Sequence, residues 1–407
     1  MVTKDVITQD EGRVQATWEG DVSQLRGLVS DRAMTGETML LNMGPHHPST
    51  HGVLRLLLEL DGEELITVLP DIGFLHTGIE KSIEDKTYEK GVPLTDRMDY
   101  LAPLSNNMVF CMAIEKLVDL DVPERAQIMR VIALEFQRIA SHLVWLGTQA
   151  LDMGAMSVFL YAFREREKIL TLFVMLSGQR MMGSYMRPGG VWRDFPEEFY
   201  TAAQAFMDDF PRRIEDYELL LKNNPIWIDL THGIGVLEPD VGLALGVSGP
   251  ALRASGVNWD IRKAEPYSGY ETYDFDVPLG DHGGMFMTVT ACDCLNCGKV
   301  SEFCSRHLNA LPKASAWSRS ENRKFVPPPR SELGGSMEAV IHHFKLWTEG
   351  FDAPDDEVYV SIESPRGEIG CRQTMVRGGQ RKPRCAWVSR HLLSCTLPRC
   401  LRSVVVT

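Results

Sequence analysis

The pattern that most constrains this chain starts just after Pro123. Ile128, Val131, Ile132, Phe136, Ile139, Leu143 and Leu146 recur at helical spacing over several turns. Three neighbouring stretches repeat the pattern. Ser105 caps an expected helix carrying Val109, Met112, Ala113 and Leu117. A second neighbour, over about 155–182, carries Phe159, Leu160, Phe163, Leu170, Phe173 and Val174, and a third, over about 196–221, carries Tyr200, Phe206, Phe210 and Tyr217. Successive helices with apolar stripes must bury them against one another, so the fold class is α+β, a central helical bundle with peripheral β-strands.

The remaining stretches order themselves around the bundle. Residues 1–36 read as a weakly ordered leader, and 37–102 as an N-terminal α/β region. Within that region Val53–Leu60 and Leu65–Leu69 form strands about the Asp61-Gly62 turn, and Gly73–Lys81 runs into a short charged helix. The bundle occupies 103–224. A Gly-rich α+β segment follows over 225–283, and 324–370 holds a proline linker, a helix over Ser336–Thr348 and a strand over Glu357–Glu363.

Composition closes off several functions. A net charge of −13 argues against nucleic acid as a partner. No apolar run approaches the roughly 20 residues of a membrane-spanning helix. Met1–Gly27 is polar and acidic, unlike a signal peptide. A soluble cytosolic chain is expected, meeting a membrane only through partners. No phosphate-binding loop or dinucleotide glycine fingerprint stands between a strand and a helix, so no NAD or nucleotide site is expected.

The most distinctive short stretch is Gly44-Pro45-His46-His47-Pro48-Ser49-Thr50-His51-Gly52. Proline fixes φ and glycine opens unusual backbone angles, so this is a stiff loop feeding a strand. Histidine exchanges a proton near neutral pH, and such a loop can present it to a ligand. On their own residues the candidates also have plainer readings. The loop is a turn with solvated histidines, Tyr100 is a buried aromatic with a satisfied hydroxyl, and Asp152 caps the next helix. The run Phe163–Lys168 is a solvated helix face or a contact to another protein of an assembly.

Longer motifs sharpen this. GPHHPSTHGVLRL at 44–56, GFLHTGIEK at 73–81, DRMDYL at 96–101, SHLVWLGTQALDMGAM at 141–156 and FLYAFREREKIL at 159–170 are specific, and RPGGV at 187–191, SGPALRASGVNWDIRK at 248–263 and ESPRGEIG at 363–370 extend them. On these motifs the chain resembles the D-type (mitochondrial 49 kDa) family of respiratory complex I, the proton-translocating NADH–quinone oxidoreductase. The resemblance implies a fold like the nickel–iron hydrogenase large subunit, with the old metal region turned into a quinone headgroup cavity. It implies that His51 and Tyr100 bind the headgroup, with His47 a further quinone-binding residue and Asp152 paired to His51, while Arg97 lies near the partner's cluster. It also implies no cofactor or metal on this chain, with FMN and iron–sulfur clusters on partner proteins. The implied partners are the cluster-bearing small B-type subunit, the C-type subunit and the membrane quinone-chamber subunit, on the cytoplasmic face of the bacterial inner membrane. Met181-Met182 stands where many members have Met-His.

Quinone chemistry fits such a pair. Two carbonyl oxygens on opposite ring edges need two facing donors. Histidine, with a free pKa of about 6.5, gives up a proton readily, while tyrosine at about 10 mainly donates a hydrogen bond. Loss of the imidazolium proton leaves Asp152 unpaired, a unit change of charge able to trigger movement. A hydrogenase large subunit needs a CxxC pair near its N-terminal loop, yet no cysteine precedes Cys111. A purely structural scaffold or inactive gene product is the remaining alternative.

The resemblance fails at two places. After Asp281 the family's Arg- and Glu-rich helix is replaced by a stretch with Cys292, Cys294, Cys297 and Cys304. The spacing suggests zinc or an iron–sulfur cluster. Codons can, however, be chosen for 284–303 so that the frame one base earlier encodes the family's helix. The same holds for 390–401. Residues 284–323 and 371–407 are therefore expected to be frameshifted, without metal, and to pack poorly.

Overall fold

The computed structural model describes residues 5–10, 13–18, 37–280, 319–354, 356–374 and 388–391. In chain order the strands are β1 (Asp5–Asp10), β2 (Arg13–Trp18), β3 (Met39–Met43), β4 (Arg55–Asp61) and β5 (Glu64–Asp71). Helices α1 (Ile79–Glu84), α2 (Tyr88–Thr95), α3 (Pro103–Leu117), α4 (Glu124–Asp152) and α5 (Met156–Ser177) follow. The short hairpin β6 (Met186–Arg187) and β7 (Gly190–Val191) leads into α6 (Glu197–Leu221), α7 (Pro225–Thr231), α8 (Pro239–Leu245), α9 (Pro250–Ala254) and α10 (Ile261–Ala264). Helix α11 (Met337–Thr348) and strands β8 (Glu357–Ser364), β9 (Gly367–Thr374) and β10 (Val388–His391) complete the described chain. The mixture of helices with small antiparallel sheets is the α+β class expected. Among the described residues no helix is long and apolar enough to cross a membrane.

The chain divides into two compact units. The first takes in Met1–Thr77, Gly235–Gly246 and Leu393–Thr407. It holds the β1–β2 hairpin and the antiparallel sheet β3–β4–β5. Within the leader β1 and β2 pair antiparallel. Strand β4 buries alternate residues Arg55, Leu57 and Glu59, the period of a one-sided strand. Its two charges are satisfied in place. Arg55 donates to Asn42 Oδ1 (2.9 Å) and Asp71 (3.0 Å), and Glu59 accepts from Thr38 (3.0 Å).

The second unit, Gly78–Ile234 with Val247–Leu392, is the bundle and its periphery. Helix α4 is its spine. Met129, Ile132, Ala133, Phe136 and Ile139 are fully buried along it, and Phe136 meets Phe199 and Phe206 of α6 edge-on. The charge run on α5 is more than a solvated face or an outward contact. Glu165 is fully buried, pairing with Arg164 (2.6 Å) and Lys168 (2.6 Å), and Lys168 reaches Asp209 of α6 (2.9 Å). The run therefore clasps α5 to α6.

Helix boundaries differ from expectation in two places. Ser105 lies inside α3, buried, because the helix starts at Pro103, and its hydroxyl accepts from Gln137 instead of capping. Helix α5 stops at Ser177 because Gly178 takes a left-handed φ of 76°. The stretches with Cys292–Cys304 and with Cys385, Cys395 and Cys400 lie outside the described residues. Arg319, placed in the first suspect segment, pairs with Glu89 (3.1 Å). Cys371 is buried in β9, a strand that continues to Thr374.

A buried charge cluster joins the bundle to the β8–β9 hairpin. Glu135 and Arg138 of α4 pair with each other (3.2 Å), and Arg262 bridges Glu135 (3.3 Å) and Asp260 (2.6 Å). Arg253 pairs with Glu363 of β8 (2.7 Å), whose backbone carbonyl accepts from Arg138 (2.7 Å). Tyr270 donates to Glu135. Burial pushes the Glu135 carboxyl up, but Arg138 and Arg262 outweigh it and hold it below the ordinary range. Three guanidinium groups balance three carboxylates, so removing one strands its partners in low dielectric.

Arg262→Met should cost about 3–5 kcal/mol, the usual penalty for an uncompensated buried charge, read as a lower denaturant midpoint. At the α5–α6 clasp, hydrogen bonds from Arg213 and Lys168 push the Asp209 carboxyl down to about 2. Its stabilisation is therefore complete above the unfolded carboxylate value of about 4 and is lost as pH falls toward 2. Unfolding midpoints measured against pH should show this acid-side loss, and Asp209→Asn should flatten it.

Candidate functional site

In the first unit the histidine loop is built around a buried threonine. Gly44 has φ 91°, and a Cβ there would lie 2.2 Å from the Leu54 carbonyl oxygen, so only glycine fits. Pro48–Thr50 forms a single 3₁₀ turn. The Thr50 hydroxyl sits within hydrogen-bond reach of two carbonyls, Pro45 (3.2 Å) and His47 (3.0 Å), and its own carbonyl accepts from Leu54 N–H (3.1 Å). His47 caps the turn, its Nδ1 accepting from Ser49 N–H (3.1 Å). In the neutral ring that leaves the proton on Nε2, pointing to a structural use for the other nitrogen. His51 closes the turn in the left-handed region, φ 52°, with its N–H donated to Pro48 and its imidazole exposed. The loop is as stiff as its prolines and glycines suggest, and it presents His51 outward.

In the second unit Tyr100 stands on the turn 96–102 between α2 and α3. Contrary to the plain reading it is not buried: the residue is 44% exposed. The residues around it are held firmly. The Asp96 carboxylate accepts from the hydroxyl (2.5 Å) and N–H (3.1 Å) of Ser184, and burial raises its pKa. Asp99 is buried; its Oδ1 accepts from Leu101 N–H (3.1 Å) and Arg366 (2.5 Å), and its carbonyl from Asn106 (3.0 Å). Arg97 is exposed and donates to the Pro93 carbonyl (2.5 Å).

Asp152 is the last residue of α4, not a cap for α5, whose N-cap is Ala155. The turn Met153-Gly154 intervenes, and its N–H groups bond back to α4 carbonyls. Asp152 is exposed. A carboxylate at the negative end of a long helix dipole favours a cationic neighbour.

His51 and His47 thus belong to the first unit, and Tyr100, Arg97 and Asp152 to the second. Asp99 and Arg366 are positions that motif reading passed over. Each is one of three charged residues inside a recognisable motif, and neither motif by itself marks the pair. A cavity lined by Arg187, Trp192, Arg319, Pro328 and Trp347 opens elsewhere in the second unit; Tyr100 and Asp152 do not line it. Among the described residues no group of three His, Cys, Asp or Glu side chains is placed to hold a metal ion.

Comparison with known proteins agrees with the motifs. The family described as respiratory-chain NADH dehydrogenase, 49 kDa subunit, matches residues 152–390. The NADH-quinone oxidoreductase D 2 subunit of Chloroflexus aurantiacus is 56% identical over 349 residues, covering 85% of this chain and 84% of that protein. The D 2 subunit of a Roseiflexus species is 55% identical over 358 residues, covering 87% of this chain and 85% of that protein. The D subunit of Citrifermentans bemidjiense is 48% identical over 352 residues, covering 86% and 89%. The chain belongs to the 49 kDa subunit family of the respiratory-chain NADH dehydrogenases, the family of the NADH-quinone oxidoreductase D subunits.

Proposed function

We propose that this chain forms a wall of the quinone headgroup cavity in a proton-translocating NADH–quinone oxidoreductase. His51 donates to one quinone oxygen and Tyr100 to the other. The observation that supports this is shared by both residues: each is an exposed side chain on a backbone pinned by buried neighbours, Thr50 in one case and Asp99 in the other. A donor held that way loses little entropy when it meets a ligand.

Reduction of quinone to quinol takes two electrons and two protons. The electrons come from NADH through FMN and the iron–sulfur clusters on partner proteins. Each reduced oxygen is a strong base. His51 gives a proton to one, and Tyr100 hydrogen-bonds the other until it takes the second proton from water. Asp152 holds the His51 imidazolium before transfer and loses its counter-charge after it. That change of one unit in a dry cavity drives the movement that the membrane subunits convert to proton pumping. His47 supports the loop beside the headgroup, and Arg97 faces the cluster of the small B-type subunit. The C-type and membrane quinone-chamber subunits complete the surroundings, and these partners hold the chain at the cytoplasmic face of the inner membrane. The chain itself supplies proton donors and shape rather than a redox centre.

His51→Ala tests the reading. In membranes carrying the whole complex, quinone reduction should fall by about 100-fold or more, the ordinary contribution of a positioned acid. NADH oxidation by artificial acceptors should stay intact. Normal quinone turnover in that variant contradicts the assignment.

A further inference from the structure

Tyr100 has an exposed ring, and what fixes its place lies far along the chain. The β8–β9 connection is a two-residue hairpin turn, with Ser364 paired to Gly367 across Pro365-Arg366. Two contacts seat this turn. A Cβ on Gly249 would fall 2.4 Å from Gly367 Cα, so the two backbones touch where only glycines allow it. Glu368 N–H donates to Ser248 Oγ (2.9 Å). The root of the hairpin is tied to the bundle through Glu363, which pairs with Arg253 (2.7 Å) and whose carbonyl accepts from Arg138 (2.7 Å).

From this seated turn Arg366 reaches Asp99, Nη2 to Oδ1 at 2.5 Å. The two side chains are 43% and 4% exposed. Asp99 is thus a buried carboxylate whose charged partner comes from a hairpin 267 residues later. The same oxygen accepts from Leu101 N–H, so the carboxylate closes over the Tyr100 backbone.

We infer that Arg366 is a positioning residue for quinone reduction: through Asp99 it sets where the Tyr100 hydroxyl stands. The inference rests on the reading that Tyr100 binds the headgroup. A charge-assisted pair with a buried acceptor is among the stronger hydrogen bonds, and losing it leaves Asp99 buried without its cation. The turn then relaxes, and the hydroxyl shifts away from the quinone oxygen without any change in the electron path from NADH.

The test uses the intact complex in membranes, a short-chain ubiquinone analogue, and four variants: Arg366→Met, Arg366→Lys, Tyr100→Phe and the double variant Arg366→Met/Tyr100→Phe. Arg366→Met should raise the quinone KM by about tenfold, corresponding to the loss of about 1.4 kcal/mol. NADH oxidation by ferricyanide should be unchanged. Arg366→Lys, which keeps the charge without the planar fork, should recover part of the KM and covers the case in which the methionine variant fails to assemble. In the Tyr100→Phe background Arg366→Met should add less than about twofold, because both changes remove one interaction. A wild-type KM in Arg366→Met, a wild-type KM in Arg366→Lys where Arg366→Met does not assemble, or full additivity with Tyr100→Phe overturns the positioning role while leaving the headgroup reading standing. A wild-type KM in Tyr100→Phe instead overturns the headgroup reading and this inference with it.

Discussion

The second unit depends on the charge cluster at its centre. Glu135 and Arg138 on α4, Arg253 in α9, Asp260 and Arg262 at α10, and Glu363 on β8 come from four separate stretches of chain. Apolar packing alone would let these stretches slide, since hydrophobic contact is non-directional. Paired guanidinium and carboxylate groups fix distance and angle together. The cluster therefore sets where the β8–β9 hairpin meets the bundle. The hairpin turn in turn carries Arg366 to Asp99, beside Tyr100. The fold and the Tyr100 turn are connected through a buried charge cluster and the Arg366–Asp99 pair.

The two loops that present His51 and Tyr100 solve one problem in two ways. An exposed proton donor is useful only if its backbone cannot wander. The histidine loop achieves this locally: Thr50 and the cap made by His47 hold a single turn, and Gly44 lets it pass against the Leu54 carbonyl. The tyrosine turn relies on distant groups, Ser184 on one side and Arg366 on the other. The loop thus has a purpose in the proposed chemistry, and the Nδ1 of His47 caps its turn.

Much of this was legible in the chain itself. The apolar stripe from Ile128 to Leu146 marked α4, and its burial follows from spacing alone. The stiff loop at Gly44–Gly52 was equally plain. Other features were hidden because they depend on tertiary partners. Ser105 carries a capping side chain, yet Pro103 begins the helix two residues earlier and Gln137 takes the hydroxyl. The charges at 164–168 read as a wet surface or an outward contact, but Glu165 is fully buried with Arg213 of α6 3.9 Å away, and Lys168 reaches Asp209 of the same helix. Asp152 sits among apolar neighbours in sequence and is nevertheless exposed at a helix end. The Arg366–Asp99 pair has no local signature at all.

The central claim is that the Gly44–Gly52 loop and the turn holding Tyr100 face a quinone headgroup. Photolabelling of the whole complex with a headgroup-reactive quinone, followed by peptide mass spectrometry, tests it most directly. Adducts are predicted on the peptides containing His51 and Tyr100, both suppressed by excess unlabelled quinone. Competable labelling confined to other peptides, with neither of these modified, would contradict it.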